Sequence, residues 1–251
     1  MARVRIEENG AVRTVTLTRS DKRNALDKQM LDELEAAFTV TPPDAERLTV
    51  IRAEGPVFCS GMDLKARQET IGGIAPIETM LYAIETYPLP VVGVVQGDAI
   101  AGGNELALHC DIVVAVSTAR FGMSLAQIGL APTWFLAKKL MEVAGPVKTR
   151  EFLFLGDPFP ATQMFDMGLI ARVANPDDLE TEAQKVIDRL AANAPLSLKA
   201  MKGLLVRQMC FRDGVYHKDM DKLVETASAS EDGREGTAAR LEKRVPVFKG
   251  K

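Results

Sequence analysis

The segment from Pro90 to Val116 constrains the fold more than any other. It reads PVVGVVQ, then GDAIAGGNELALHC, then DIVVAV: an unbroken apolar run, a glycine-bearing loop opening into a helical pattern, and a second unbroken apolar run. Strands that do not alternate apolar and polar residues are covered on both faces, and two of them joined by a helix suit parallel pairing, which needs a long crossover. The same order occurs upstream. LTVIRA (Leu48 to Ala53) reads as a buried strand, Gly55-Pro56 and VFCSGMDLK follow, a polar, Gly-containing stretch runs to Gly73, and an amphipathic helix spans Pro76 to Tyr87. Strand, loop and helix in repeated order predict an α/β core with parallel pairing.

The flanks fit around such a core. VRIEENGAVRTVTLTR alternates about Asn9-Gly10, a dipeptide that accepts the positive φ of a tight turn, and predicts a β-hairpin. Asp27 caps a predicted helix whose apolar face is Met30, Leu31, Leu34, Ala37 and Phe38, and TPPD ends it. Beyond residue 133, WFLAKKLMEVAG, VKTREFLFLG and ATQMFDMG have helical periodicity, with one short strand at LIARVA. Amphipathic helices follow over Asp177 to Asn193 and Leu196 to Phe211. No repeat or low-complexity linker separates them, so this helical part packs on the core or on another subunit.

Composition narrows the function. The 31 Lys and Arg against 34 Asp and Glu give a net charge of −3, so no bulk field draws the chain to nucleic acid or an anionic membrane. Any anionic ligand is held by local charge. Charged residues, among them Arg3, Arg5, Glu7 and Glu8, occupy the N-terminus where a secretory signal needs an apolar core, and Leu89 to Val95 is too short to span a bilayer; a cytoplasmic protein is expected. Three dispersed cysteines, Cys59, Cys110 and Cys210, and two histidines, His109 and His217, provide neither a disulfide framework nor a zinc site, so no metal is expected.

The two glycine-bearing loops are where backbone can approach a ligand closely. In FCSGMDL, Gly61 frees the chain so that the Met62 amide can point outward; in GDAIAGGNEL, Gly102-Gly103 does the same at a helix start. Two amides converging on one oxygen form an oxyanion hole, although either glycine loop alone is better explained as a turn. Glu105 lies three residues after Gly102, one turn along the same helix face. The helix N-terminus favours its ionised form, which suits a proton acceptor; a carboxylate that only complements the helix dipole fits the residues as well.

SDKRNAL, FCSGMDLK, VVQGDAIAGGNELALHCDIVVA, ARFGMSLAQIGLAP and SEDGREGTAARLEKRVPVFKG, in this order along the whole chain, resemble the enoyl-CoA hydratase/isomerase (crotonase) family. The resemblance implies a crotonase (ClpP-like) spiral of ββα units over residues 1–190, with a C-terminal helical trimerisation region over 191–251. It implies a homotrimer or homohexamer acting on an acyl-CoA thioester, with coenzyme A as part of the substrate and no further cofactor. On the matching positions the oxyanion-hole amides belong to Met62 and Gly102, and Glu105 is the acid–base residue. Lys22, Arg23 and Ala25 match the region near the CoA phosphates and pantetheine, and Phe58, Ser60 and Gly61 match the adenine-side pocket. Phe248 and Lys249 match a tail segment that reaches a CoA site, in some members from a neighbouring subunit.

One position departs from the pattern. Typical hydratases of the family hold water between two glutamates; the first matches Glu105, but the second falls on Leu125. An aliphatic side chain moves no proton, and general acid–base groups are commonly worth ~10²–10⁴ in rate. The resemblance therefore implies an enoyl-CoA hydratase adding water to a 2-enoyl-CoA through an enolate, with double-bond isomerisation or silent acyl-CoA binding as the alternatives. Asp63, Asp98, Tyr82 and Thr133 are the candidates for a second group. Trp134 and Phe135 stand where many relatives carry small residues and are candidates for reshaping the acyl pocket. His109 is expected to be a satisfied buried imidazole and His217 to lie at the surface or an interface.

Overall fold

The computed structural model describes residues 2–64 and 76–251; the Gly-containing stretch to Gly73 lies outside the described residues. The chain begins with the hairpin β1 (Val4–Asn9) and β2 (Val12–Leu17), paired antiparallel with Asn9 opposite Val12. Gly10 takes φ 58° at the turn. Helix α1 (Lys28–Phe38) starts at Asp27, whose side chain accepts from the Met30 amide at 2.9 Å, and the five predicted face residues are all buried. Strands β3 (Leu48–Ala53), β4 (Val91–Val95) and β6 (Ile112–Val116) extend the sheet in parallel, and β9 (Arg172–Ala174) closes it in the order β1-β2-β3-β4-β6-β9.

Helix α2 (Pro76–Thr86) precedes β4, and α3 (Gly102–Leu108) joins β4 to β6. A second, smaller sheet is made of β5 (Ala99–Ile100), β7 (Arg120–Gly122) and β8 (Phe159–Pro160). Strands of two or three residues leave no readable alternation, and this sheet was not predicted. The two helices predicted between Trp134 and Gly156 are joined: α4 (Trp134–Arg150) continues through a kink at Gly145 (φ 66°) and Pro146 into a π-helical turn over Glu151–Leu155. There follow α5 (Ala161–Asp166), α6 (Leu179–Ala192), α7 (Pro195–Met209), α8 (Lys218–Ala229) and α9 (Glu231–Glu242). No described helix is long and apolar enough to cross a membrane.

Two buried polar clusters tie the layers together. Arg13 donates to the Ala37 carbonyl (2.7 Å) and the Thr49 hydroxyl (3.2 Å), while Glu46 accepts from Thr49 and from Tyr87 (2.7 and 2.9 Å). Lys202 of α7 reaches into the core, donating to Asp111 (2.7 Å) and to the Leu89 carbonyl (3.1 Å). Each charge is matched, as buried charge requires.

Candidate active site

The two glycine loops come together. The Leu26 amide donates to the Gly61 carbonyl (2.8 Å) and the Asp63 amide to the Leu26 carbonyl (2.9 Å), a parallel bridge centred on Leu26 and Met62. In that pattern the partner residue's own N–H points away from the bridge, so the Met62 amide faces away from Leu26. The Cys59 amide pairs with the Asp98 carbonyl and the Ile100 amide with the Cys59 carbonyl, which docks the first loop on the second. Contact is closest at the glycines. A Cβ on Gly61, whose φ is 90°, would lie 3.1 Å from the Gly102 nitrogen, and one on Gly103 would lie 2.1 Å from the Cys59 carbonyl oxygen.

Beside this junction is a cavity of about 170 Å³. Ile77, Gly102 and Thr133 all line it, so α2, α3 and α4 begin there and direct the positive ends of their dipoles at it. Met62 and Ala101 line it too; Ala101 holds φ 51°, ψ −117°, a strained conformation for a residue with a side chain. Leu125 is also on the wall, so the aliphatic side chain stands at the cavity itself.

Glu105 lies in the first turn of α3, fully buried, with neither carboxylate oxygen hydrogen-bonded. Burial pushes its pKa up to about 8 against the opposing pull of Lys139. The expected preference for the ionised form is therefore corrected: desolvation outweighs the pull of Lys139 and of the Asn104 side chain, and the carboxyl holds its proton at neutral pH. Next to it, His109 Nδ1 donates to the Glu105 carbonyl (2.8 Å) and the ring stacks on Phe135. Burial holds His109 down at about 3, so it is neutral, and Nε2 has no partner; the imidazole is only half satisfied. Deeper along the same helices Lys139 pairs with Glu85 and with Glu142 (3.4 Å).

The remaining expected site residues divide into three groups. Lys22, Arg23 and Ala25 are brought to the first loop: the Ser60 amide donates to the Arg23 carbonyl (3.1 Å), and both basic side chains are exposed. Asn24 locks this segment with bonds to the Glu54 and Val57 carbonyls, both 2.9 Å. Ser60 lines the cavity, whereas Phe58 is fully buried, its ring part of the core and not of the wall. Phe248 and Lys249 fold back on the start of α9, where Asp232 accepts from the Lys249 amide (2.7 Å). No described bond joins them to Lys22 or Arg23 within the chain.

The candidates for a second proton carrier are otherwise engaged. Asp63 pairs with Arg19 (2.9 Å) and Asp98 with Arg120; Tyr82 is 56% exposed; the Thr133 hydroxyl caps α4 by accepting from the Leu136 amide (3.4 Å). Trp134 and Phe135 do not line the cavity: Trp134 stacks on His217 and Phe135 on His109, while Thr133 and Leu136 form the wall. His217, half-buried, is held by Asp221 at 3.0 Å. Two residues near the cavity escaped the sequence reading. Arg240 of α9 lines it, and Glu78 of α2, itself outside the lining, stands next to Ile77 and Thr133 of the wall. Both come from elements far away in sequence, and only the glycine spacing in SEDGREG hints that α9 packs closely.

Comparison with known proteins agrees with this architecture. The enoyl-CoA hydratase/isomerase family model matches residues 7–251. A 2,3-dehydroadipyl-CoA hydratase of Escherichia coli is 31% identical over the full length of both chains. An enoyl-CoA isomerase/hydratase of Mycosarcoma maydis is 30% identical, covering 94% of this chain and 92% of its own. Among solved structures, an enoyl-CoA hydratase from Mycobacterium avium subsp. paratuberculosis superimposes with a TM-score of 0.87 at 26% identity, covering 99% of each chain. With its parallel sheet, its docked glycine loops and a match over nearly its whole length, the chain belongs to the enoyl-CoA hydratase/isomerase family and has the crotonase fold.

Proposed function

We propose that the protein is an enoyl-CoA hydratase, a lyase that adds water across the double bond of a 2-enoyl-CoA thioester. The observation that carries this reading is the junction of Gly61 and Gly102 beside the cavity, at the start of the helix whose first turn carries the buried Glu105. The Met62 and Gly102 amides would donate to the thioester oxygen as negative charge develops there, and the converging helix starts favour that charge. Glu105 would act on water as the base through its ionised fraction, which grows as pH approaches about 8. Lys22 and Arg23, exposed beside Ser60, suit the phosphates of CoA, with Ala25 near the pantetheine, Ser60 and Gly61 on the adenine side and the buried Phe58 holding that loop from behind. The chemistry requires no metal or redox cofactor.

Leu125 on the cavity wall favours a second reading, double-bond isomerisation, in which Glu105 alone carries one proton between two carbons. Mass spectrometry after incubation with 2-enoyl- and 3-enoyl-CoA esters separates the two. Hydration adds the mass of water and isomerisation adds none; binding of the esters without turnover would leave a silent acyl-CoA-binding protein. The tail with Phe248 and Lys249 suits the CoA site of a neighbouring subunit, in keeping with a homotrimer or homohexamer.

A further inference from the structure

Glu78 occupies the first turn of α2, directly after Ile77, which lines the cavity and lies against Gly102. On its other side is Thr133, also on the cavity wall, whose hydroxyl lies beside the Glu78 carboxyl. Its Oε1 is buried without a hydrogen-bond partner, and no cation forms an ion pair with it among the described residues. This sets it apart from Asp63 and Asp98, which are held by Arg19 and Arg120. A buried carboxyl oxygen lacking a protein donor is costly to keep and calls for a reason.

We propose that Glu78 is the second acid–base residue, performing from α2 the proton transfer that Leu125 cannot perform. The proposal rests on the hydratase reading above. Glu105, first deprotonated to its carboxylate by loss of its proton to solvent, takes a proton from water, the water oxygen bonds to Cβ, and the π pair of the double bond passes through Cα to the thioester oxygen. As the enolate returns to the carbonyl, Glu78 as the acid gives its proton to Cα. Water is thereby added in full, and the two carboxyl groups regain their starting states by proton exchange with solvent.

The surroundings of Glu78 suit a donor. Burial raises its pKa, and Asp221 of α8 raises it further; the Thr133 hydroxyl and His217 pull the other way. These are the groups facing it from α4 and α8, and the balance keeps a proton available above the ordinary carboxyl range.

The test compares wild type, Glu105→Gln, Glu78→Gln and Glu78→Asp with a short 2-enoyl-CoA, each variant first shown to melt cooperatively. The expected result for Glu78→Gln is a fall in kcat of ~10²-fold with KM little changed, since the loss lies in proton transfer and not in binding. The bell-shaped pH profile of kcat/KM in wild type should keep a single limb in Glu78→Gln, and Glu78→Asp should retain both limbs. A structural role alone would move neither limb. Full activity and an intact bell in Glu78→Gln, with Glu105→Gln inactive, would overturn this inference and leave the hydratase reading standing. Absence of hydration by wild type would overturn both.

Discussion

At Glu105 desolvation opposes the attraction of Lys139, and desolvation is the larger. A carboxyl with its folded pKa raised to about 8 binds more protons folded than unfolded between about pH 4.5 and 8, so its contribution to stability falls as pH rises through that window. Glu105→Gln has no such proton to lose. Its melting temperature should therefore exceed that of wild type at pH 8, with the two converging near pH 5, as calorimetry across that range would record. The same substitution should lower hydration by ~10²–10⁴-fold, because the amide cannot act as base. A variant equally active, or less stable at pH 8, would contradict the role and the burial argument respectively. The neighbouring glycines allow a sharper contrast. A Cβ on Gly103 meets the Cys59 backbone at 2.1 Å, whereas one on Gly102 meets first the flexible end of Ile77 at 2.9 Å. Gly103→Ala should lose stability by about 1–3 kcal/mol in urea melts, and Gly102→Ala should fold with a smaller loss and chiefly lower kcat. The spacing that places Glu105 one turn from Gly102 was legible in the sequence; its proton affinity was not, because burial is set by α2 and α4 folding over it.

Among elements, α9 shows how a remote segment completes the site. Gly236 and Gly233 let the helix lie directly against backbone: a Cβ on Gly236 would be 2.3 Å from Ile128, and Gly129 is equally close to Asp232. This contact brings Arg240 to the cavity wall. Gly236→Ala should push α9 away from the turn that follows Leu125. The expected outcome is a loss of about 1–3 kcal/mol in stability and a raised KM for acyl-CoA, whereas unchanged KM and melting temperature would show that α9 is not needed to shape the cavity. The elements with strong local signals, the Asn9-Gly10 hairpin, the Asp27-capped α1 and the apolar runs β3, β4 and β6, were legible because turn chemistry, cap and period agree. Those set by tertiary pairing were not: β5 and β7 are too short to show alternation, and the kink at Gly145 joins two predicted helices into one element. Glu78 was missed for a related reason, since what marks it is its nearness to Thr133, fifty-five positions along the chain.

On the scale of the whole molecule, apolar surface is concentrated on one part of the chain. Leu196, Leu204 and Leu205 of α7 are 80%, 62% and 65% exposed, and Phe211, Tyr216 and Leu223 continue the exposure into α8. Soluble monomers seldom leave so many large apolar side chains to water in one region, and such surfaces mark contacts between chains. α7 is itself anchored to the core by Lys202 reaching Asp111. The trimer or hexamer proposed above would cover this face, with each copy's patch meeting a different patch of its neighbour around a three-fold axis. Light scattering behind size exclusion should then give a mass near three or six times 27.3 kDa for wild type. Leu204→Asp places a charge in the covered face and should release a species near the monomer mass, because an unpaired charge there costs several kcal/mol at every copy of the contact. If the tail residues Phe248 and Lys249 also serve a neighbouring CoA site, that variant should bind acyl-CoA more weakly in step with dissociation, although Leu204 lies on α7 and outside the residues that form the cavity. A wild-type mass of 27.3 kDa would remove the subunit contact, and with it the route by which the tail reaches substrate.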